Sequence, residues 1–188
     1  MKRRDRRKQA MAEVKTGRVR DKDFLKMKAK EDLDMMDNLL GVLSLTIEPS
    51  ESRLWDEYGK NHTGFCVEFD PRLLLKETGS GNGMVSYNEE LPEIHPTKYD
   101  AGMQSMLQWQ FKLNKWSHES EYRSTIFKGY PLTEKERQYI APANSIKRII
   151  LGALMPTAKE DELKLSLPTA LKSVPIVRAK LISNKVIF

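Results

Sequence analysis

Three short segments carry most of the reactive side chains: GVLSLTI holds Ser44 and Thr46, GFCVEFD holds Cys66 and Glu68, and ESEYRSTIF holds Glu119, Glu121 and Arg123. Each reads as alternating, the period of an extended strand whose successive side chains point to opposite faces. If the apolar sides face a core, Ser44, Thr46, Cys66, Glu68, Glu121, Arg123 and Thr125 share one polar surface. Trp55, Tyr58 and His62 lie on the connection into the middle strand, and Trp116, His118 and Glu119 on the connection into the third, so both groups rim that surface. A guanidinium among carboxylates can bridge Glu68 and Glu121 or bind a phosphate, and the rings can stack on a ligand. The same residues also fit a plainer description. Cross-strand ion pairs at solvated positions contribute about 0.2 to 1 kcal/mol each, and the aromatic rings can simply pack.

Other chemistries fit the residue types less well. Cys66 with His62, His95 and His118 offers metal-ligating atoms, but no pair has the short spacing of a zinc knuckle and no HExxH or CxxC occurs, so no metal is expected. A Cys66 nucleophile with His62 as base needs the chain to bend between them, because residues four apart on a strand share a face without touching. GxGxxG, GxxxxGK[ST] and GxSxG are absent.

The elements that must position these groups follow from periodicity and punctuation. RVRDKDFLKMKAKEDLDMMDNLL (18–40) reads as a helix with Phe24, Met27, Leu33, Met36 and Leu40 on one stripe, ended by Gly41. A short helix after Pro49 and Ser50 places Leu54 beside Tyr58, and Gly64 reads as a positive-φ turn before Phe65, Val67 and Phe69 enter a core. ETGSGNG (77–83) reads as a flexible loop followed by a short strand at MVSY. Pro96 and Thr97 open a helix, with Thr97 and Asp100 as a capping pair. LTEKERQYIAP (132–142) fits either a capped short helix or a turn, and SIKRIILGA is an apolar strand. Thr157 and Glu160 suggest a capping box for a helix that Pro168 disrupts, and the chain closes in a hairpin made by VPIVRAKLI and VIF.

Composition bounds the rest. The 188 residues suffice for one domain with a real core, burying roughly 70% of the unfolded surface. The net charge of +6 is unevenly spread: residues 1–31 carry 13 Lys and Arg against 5 Asp and Glu, so the remainder is slightly acidic. A block such as MKRRDRRK can contact nucleic acid through phosphate charge, or be a solvated flexible arm. No apolar run follows it as a secretory signal would require, and none reaches the roughly 20 residues of a membrane span. With its single cysteine, the chain reads as cytoplasmic, with no membrane partner.

Taken together, GVLSLT, LWDEY, NHTGFCVEFD, KWSHESEYR and IKRIILGA resemble a widespread bacterial and phage family of proteins of unknown function, the DUF2971 type, similar in turn to abortive-infection phage-resistance proteins of the AbiGi type. The resemblance runs from about residue 20 to the end and names no agreed activity. It implies a further N-terminal stretch, bearing a Tyr/Arg strand and an Asn-Asp-Pro turn, where this chain has its basic segment. Ser44-Leu45-Thr46 and Glu119-Ser120-Glu121 are similar in order and type to the Ser-x-Ser and Glu-x-Glu elements of NAD-dependent ADP-ribosyltransferases. That likeness implies NAD as the small molecule, Glu121 holding a ribose hydroxyl and stabilising an oxocarbenium-like transition state, and Glu119 orienting the acceptor. The arginine or histidine that such enzymes carry on the first strand has no counterpart before Ser44.

The expected class is α+β, a mainly antiparallel sheet of about five or six short strands with helices packed on one face. Residues 1–20 form a basic arm and 21–188 a single domain, with its N-terminal helix at 21–40 and its sheet core at 41–188. Two functions follow. The first is a phage-defence or prophage-associated effector with a nucleotide-like ligand on the sheet face, Glu121 and Glu119 acting on it and Ser44, Thr46, Trp55, Tyr58, His62, Glu68, Trp116 and Arg123 binding it. The second is a non-catalytic module that binds nucleic acid or a partner through the arm.

Overall fold

The computed structural model describes residues 3–17, 20–76, 81–94, 98–99, 101–128, 130–183 and 185–188. Along the chain come α1 (Arg3–Lys15), α2 (Lys22–Leu39), β1 (Leu40–Thr46), α3 (Ser52–Glu57), β2 (Phe65–Phe69) and α4 (Pro71–Leu74). Next are β3 (Gly81–Met84), β4 (Ser86–Asn88), α5 (Ala101–Trp109), β5 (Phe111–Leu113), a 3-10 turn (Asn114–Glu119) and β6 (Glu121–Phe127). The last part holds α6 (Glu134–Arg137), β7 (Ile146–Leu151), α7 (Thr157–Ser166), β8 (Ile176–Arg178), β9 (Lys180–Ile182) and β10 (Lys185–Ile187), with 3-10 turns at Ala143–Ser145 and Thr169–Leu171. The class is α+β. Among the described residues no helix is long and apolar enough to cross a membrane.

The strands form small separate sheets instead of one: β1-β6-β3, β2-β7-β8, β9-β10 and β4-β5. β2 pairs antiparallel with β7, with Cys66 opposite Ile150, while β8 joins β7 in parallel. The C-terminal half of β7 is covered on both sides, Ile149, Ile150 and Leu151 all being buried, while Lys147 and Arg148 in its first half are not. On one side Ile150 packs with Trp55, Ala179 and Val186, and Cys66 and Val177 lean on that cluster. On the other, Ile149 and Leu151 pack with Met155, Leu163 and Leu167. The expected division of β2 into a core side led by Phe65 and a polar side led by Cys66 therefore fails, and Phe65 is half exposed.

The chain divides into two compact units, residues 1–41 with 127–137, and residues 42–126 with 138–188. In the first unit the C-terminal carbonyls of α2 meet donors: an Arg137 guanidinium N–H reaches the Asp37 carbonyl at 2.5 Å and the Leu132 N–H reaches Asn38 at 2.7 Å, and a second Arg137 N–H reaches the carbonyl of Leu40, the first residue of β1, at 3.2 Å. α6 opens with a capping box, the Thr133 N–H donating to Glu136 at 2.9 Å and the Glu136 N–H to the Thr133 hydroxyl at 3.3 Å. The helix α2 runs straight into β1, so Gly41 lies in a strand and stops nothing.

Further differences have local causes. Gly81 and Gly83, expected in a loop, lie in β3 opposite Thr125 and Arg123 of β6. A Cβ on Gly81 would stand 2.5 Å from the Thr125 hydroxyl, so glycine is needed there for close approach. Residues 77–80, 95–97 and 100, and with them His95 and the Thr97/Asp100 cap, lie outside the described residues, as does the Met36 side chain. α7 starts at Thr157 after Pro156 and has no side-chain cap, so the capping box read at Thr157 and Glu160 is absent. The closing hairpin is β9 with β10, and β8 belongs to the sheet of β7.

The connection from α3 to β2 sets the position of several site residues. Lys60, Asn61 and His62 have φ of 53°, 52° and 60°, three successive left-handed residues, and Gly64 does not have the positive φ expected of it. Gly64 is required by contact, since a Cβ would meet the Gly59 carbonyl oxygen at 2.9 Å. The turn after β7 braces this loop through main-chain bonds, Gly152 N–H to Gly64 at 2.8 Å and Leu154 N–H to His62 at 3.0 Å. A Cβ on Gly152 would fall 2.1 Å from the His62 carbonyl oxygen. Gly152→Ala should therefore displace the loop and destabilise the protein by about 3 kcal/mol or more, measured as the shift in urea unfolding. A midpoint equal to wild type would show that the loop yields freely.

Candidate functional site

A cavity of about 550 Å³ opens in the second unit, within the usual size range of small-molecule sites. β1 supplies Ser44 and Thr46, and β6, its neighbour in the sheet, supplies Glu121 and Arg123. Period-two alternation puts Glu121 and Arg123 on the same side of their strand. α3 and the loop after it bring Leu54, Trp55 and Tyr58, and β2 brings Phe65 and Cys66. β5 and the 3-10 turn bring Lys112 and Glu119. That turn ends at Ser120, whose φ of 43° is left-handed and redirects the chain into β6.

The polar half of the cavity is a connected charge network. Glu119 and Glu121 are only 6% and 5% exposed. Arg123 grips Glu121 through two parallel bonds, Nε to Oε1 at 2.7 Å and Nη2 to Oε2 at 2.9 Å, and its Nη1 donates to the Trp109 carbonyl. Lys112 bonds Glu119 Oε2 and lies 3.1 Å from Glu121 Oε2. The Tyr58 phenol donates to Glu119 Oε1 at 2.8 Å, and the Ser44 hydroxyl bonds Glu121. Two acids are thus matched by two bases in a setting where an unmatched charge would be costly.

The titration behaviour follows from these contacts. Burial alone would raise Glu121, but the bonds from Arg123, Ser44 and Lys112 outweigh it and hold the carboxyl at about 2. Lys112 is pushed down by burial and more than recovered by its two carboxylate partners, ending above the ordinary lysine value. Bonding to Glu119 raises the Tyr58 phenol, and burial raises the Cys66 thiol, which keeps it protonated near neutrality and unsuited to act as a nucleophile.

Of the residues singled out in the sequence, Ser44, Thr46, Trp55, Tyr58, Cys66, Glu119, Glu121 and Arg123 meet at this cavity. Trp55 is a wall more than a platform: it is 4% exposed and its indole N–H is committed to the Pro49 carbonyl at 2.7 Å. Glu68 is elsewhere, paired with Arg148 and, at 3.3 Å, with Lys147 in the β2-β7 sheet, so Arg123 does not bridge it to Glu121. His62 is buried with Nε2 3.1 Å from Asp56 and Nδ1 without a partner, stacked parallel to Trp55. Trp116 does not line the cavity; Lys112 and Lys115 each place an ammonium 5.4 Å from its ring centroid. His118 joins Glu57 at 3.2 Å. Among the described residues no group of three or more His, Cys, Asp or Glu is placed to hold a metal ion.

Lys112 is the residue that sequence reasoning missed. A lone lysine between Phe111 and Leu113 alternates as a solvent-facing strand position does, so the sequence carried no signal for it.

Because the folded carboxyl of Glu121 sits below its unfolded value of about 4.3, its contribution is present above that value and is lost as pH falls through about 2. Glu121→Gln should cost roughly 2 to 3 kcal/mol at neutral pH, and the gap to wild type should narrow as the pH is lowered below about 4. Urea unfolding at several pH values measures it, and a gap independent of pH would contradict the ion-pair account.

No curated protein and no solved structure matches the chain. Residues 54–124, which take in Tyr58, Lys112, Glu119, Glu121 and Arg123 but neither Ser44 nor Thr46, match the model of a family described as a protein of unknown function, DUF2971.

Proposed function

We propose that the cavity takes a nucleoside-like ligand and that its carboxylates support transfer at an N-glycosidic bond, in the manner of NAD-dependent ADP-ribosyltransferases. The observation that supports this reading is Glu121, a buried carboxylate held anionic by Arg123 and Lys112 at the wall of a cavity whose other walls are Leu45, Pro49, Leu54, Trp55 and Phe65. A carboxylate held in one orientation by its partners turns its negative end toward positive charge developing on a sugar carbon, within a network that is neutral as a whole. With NAD as substrate, the bond from the ribose C1 to the nicotinamide nitrogen breaks and its electron pair stays on that nitrogen, so nicotinamide leaves neutral. The sugar carbon then accepts a lone pair from a hydroxyl, an amine or water, and the acceptor releases its proton to solvent. Glu119 orients that acceptor, and Tyr58, 69% exposed at the cavity, offers a ring for stacking. The resemblance to AbiGi-type proteins supports placing this activity in a phage-defence or prophage-associated effector.

Incubating the protein with radiolabelled NAD, with and without protein and nucleic-acid acceptors, tests the reading. Transfer of label or hydrolysis of NAD is expected, slowed by about a hundredfold or more in Glu121→Gln. Folded wild-type protein that neither transfers nor hydrolyses NAD removes it.

A second reading is supported by α1, where Arg4, Arg6, Arg7, Lys8 and Lys15 are exposed on a helix with no buried residue described. Such a helix suits phosphate contact by a non-catalytic nucleic-acid-binding module. Binding to a duplex at low salt should then weaken steeply as salt is added, survive Glu121→Gln and disappear when residues 1–20 are deleted. A truncated protein that binds equally well at low salt overturns it.

A further inference from the structure

We infer that Lys112 is a positioning residue whose ammonium lets Glu119 and Glu121 carry charge at the same time. The inference rests on the reading of these two glutamates as the working pair of the cavity.

The two carboxylates touch one common atom, Lys112 Nζ, and both are buried. Two such groups in a poorly hydrated site repel, and unless a cation offsets them they share a proton. The groups facing the pair from every neighbouring element allow the charges to be apportioned. From β6, the Arg123 guanidinium commits Nε and Nη2 to Glu121 and Nη1 to a main-chain carbonyl, so it neutralises Glu121 alone. From β1, Ser44 gives Glu121 an uncharged hydroxyl, and from the end of α3 Tyr58 gives Glu119 an uncharged phenol. From β4, the Tyr87 hydroxyl accepts from the Glu121 main-chain N–H at 2.9 Å and leaves the carboxylate alone. His118, adjacent to Glu119 in the chain, turns Nε2 to Glu57. Among the described residues, Lys112 is thus the one cation bonded to Glu119. Its ammonium also lies 5.4 Å from the Trp116 ring centroid, which helps hold the stem in place without consuming a hydrogen bond.

Lys112→Met keeps most of the volume and removes the charge. One excess negative charge is then buried, and the pair should take up one more proton than wild type as the pH is lowered from about 8 to about 5. Glutamate carboxyl carbon NMR on the full chain reads this directly. The raised value in the folded variant also means that its stability falls as pH rises, so its deficit against wild type should be largest near pH 8 and shrink toward pH 5. Lys112→Arg should restore the wild-type titration. A Lys112→Met protein that titrates as wild type does overturns the inference. If that variant fails to fold near pH 8, adding Glu119→Gln decides the matter: recovery of folding supports the inference, because the excess charge has gone, and failure to recover overturns it. Neither readout uses a ligand, so the outcome is independent of whether NAD binds.

Discussion

Two glutamates that expose almost none of their surface to water cannot stay charged unless counter-charges are built around them, and the architecture of the cavity is the means of supplying those. The compensation is assembled from separated parts of the chain: a hydroxyl from β1, a guanidinium from β6, an ammonium from β5 and a phenol from the end of α3. No one of these elements is long, and β5 has only three residues. Their placement depends on the neighbours that hold them, the 3-10 turn ending at Ser120 and the loop that presents Tyr58. Removing one partner from such a network leaves a charge stranded, which is why its members behave as a unit.

The scaffold behind the cavity is organised by β7. Its run of buried aliphatic residues feeds two clusters on opposite sides of one sheet, and one of those clusters contains Trp55, which is also a wall of the cavity. The site and the core therefore share an indole. Trp55 is fixed by packing and by its bond to Pro49, and the exposed ring at the cavity is that of Tyr58.

Much of this was legible in the sequence. Alternation correctly placed Ser44, Glu121 and Arg123 on one surface, and the boundaries of β1, β2, β6 and β7 follow from apolar patterning and the glycines and prolines around them. Two things escaped. Alternation assigns two faces to a strand but does not say which sheet the strand joins, so Glu68 was grouped with Arg123 although it pairs with Arg148. Nor does alternation reveal that both faces are covered, and Cys66 accordingly leans on a core cluster. Lys112 was invisible for another reason: its role exists only once Glu119 and Glu121 have been brought next to β5 by contacts distant in sequence. The three left-handed residues before Gly64 were likewise hidden, because Lys60 and His62 do not advertise that conformation as glycine would.

The way that loop is held bears on how the protein can change over time. Its shape is secured by main-chain atoms, the carbonyls of His62 and Gly64 accepting from Leu154 and Gly152, while Lys60 and Asn61 point outward. Positions 60 and 61 are exposed, but their left-handed backbone costs any side chain with a Cβ about 1 to 2 kcal/mol and most of all a β-branched one, so glycine and asparagine are the residues that exchange there at least cost. A substitution there changes the surface beside Tyr58 and leaves the main-chain bonds that hold the loop in place.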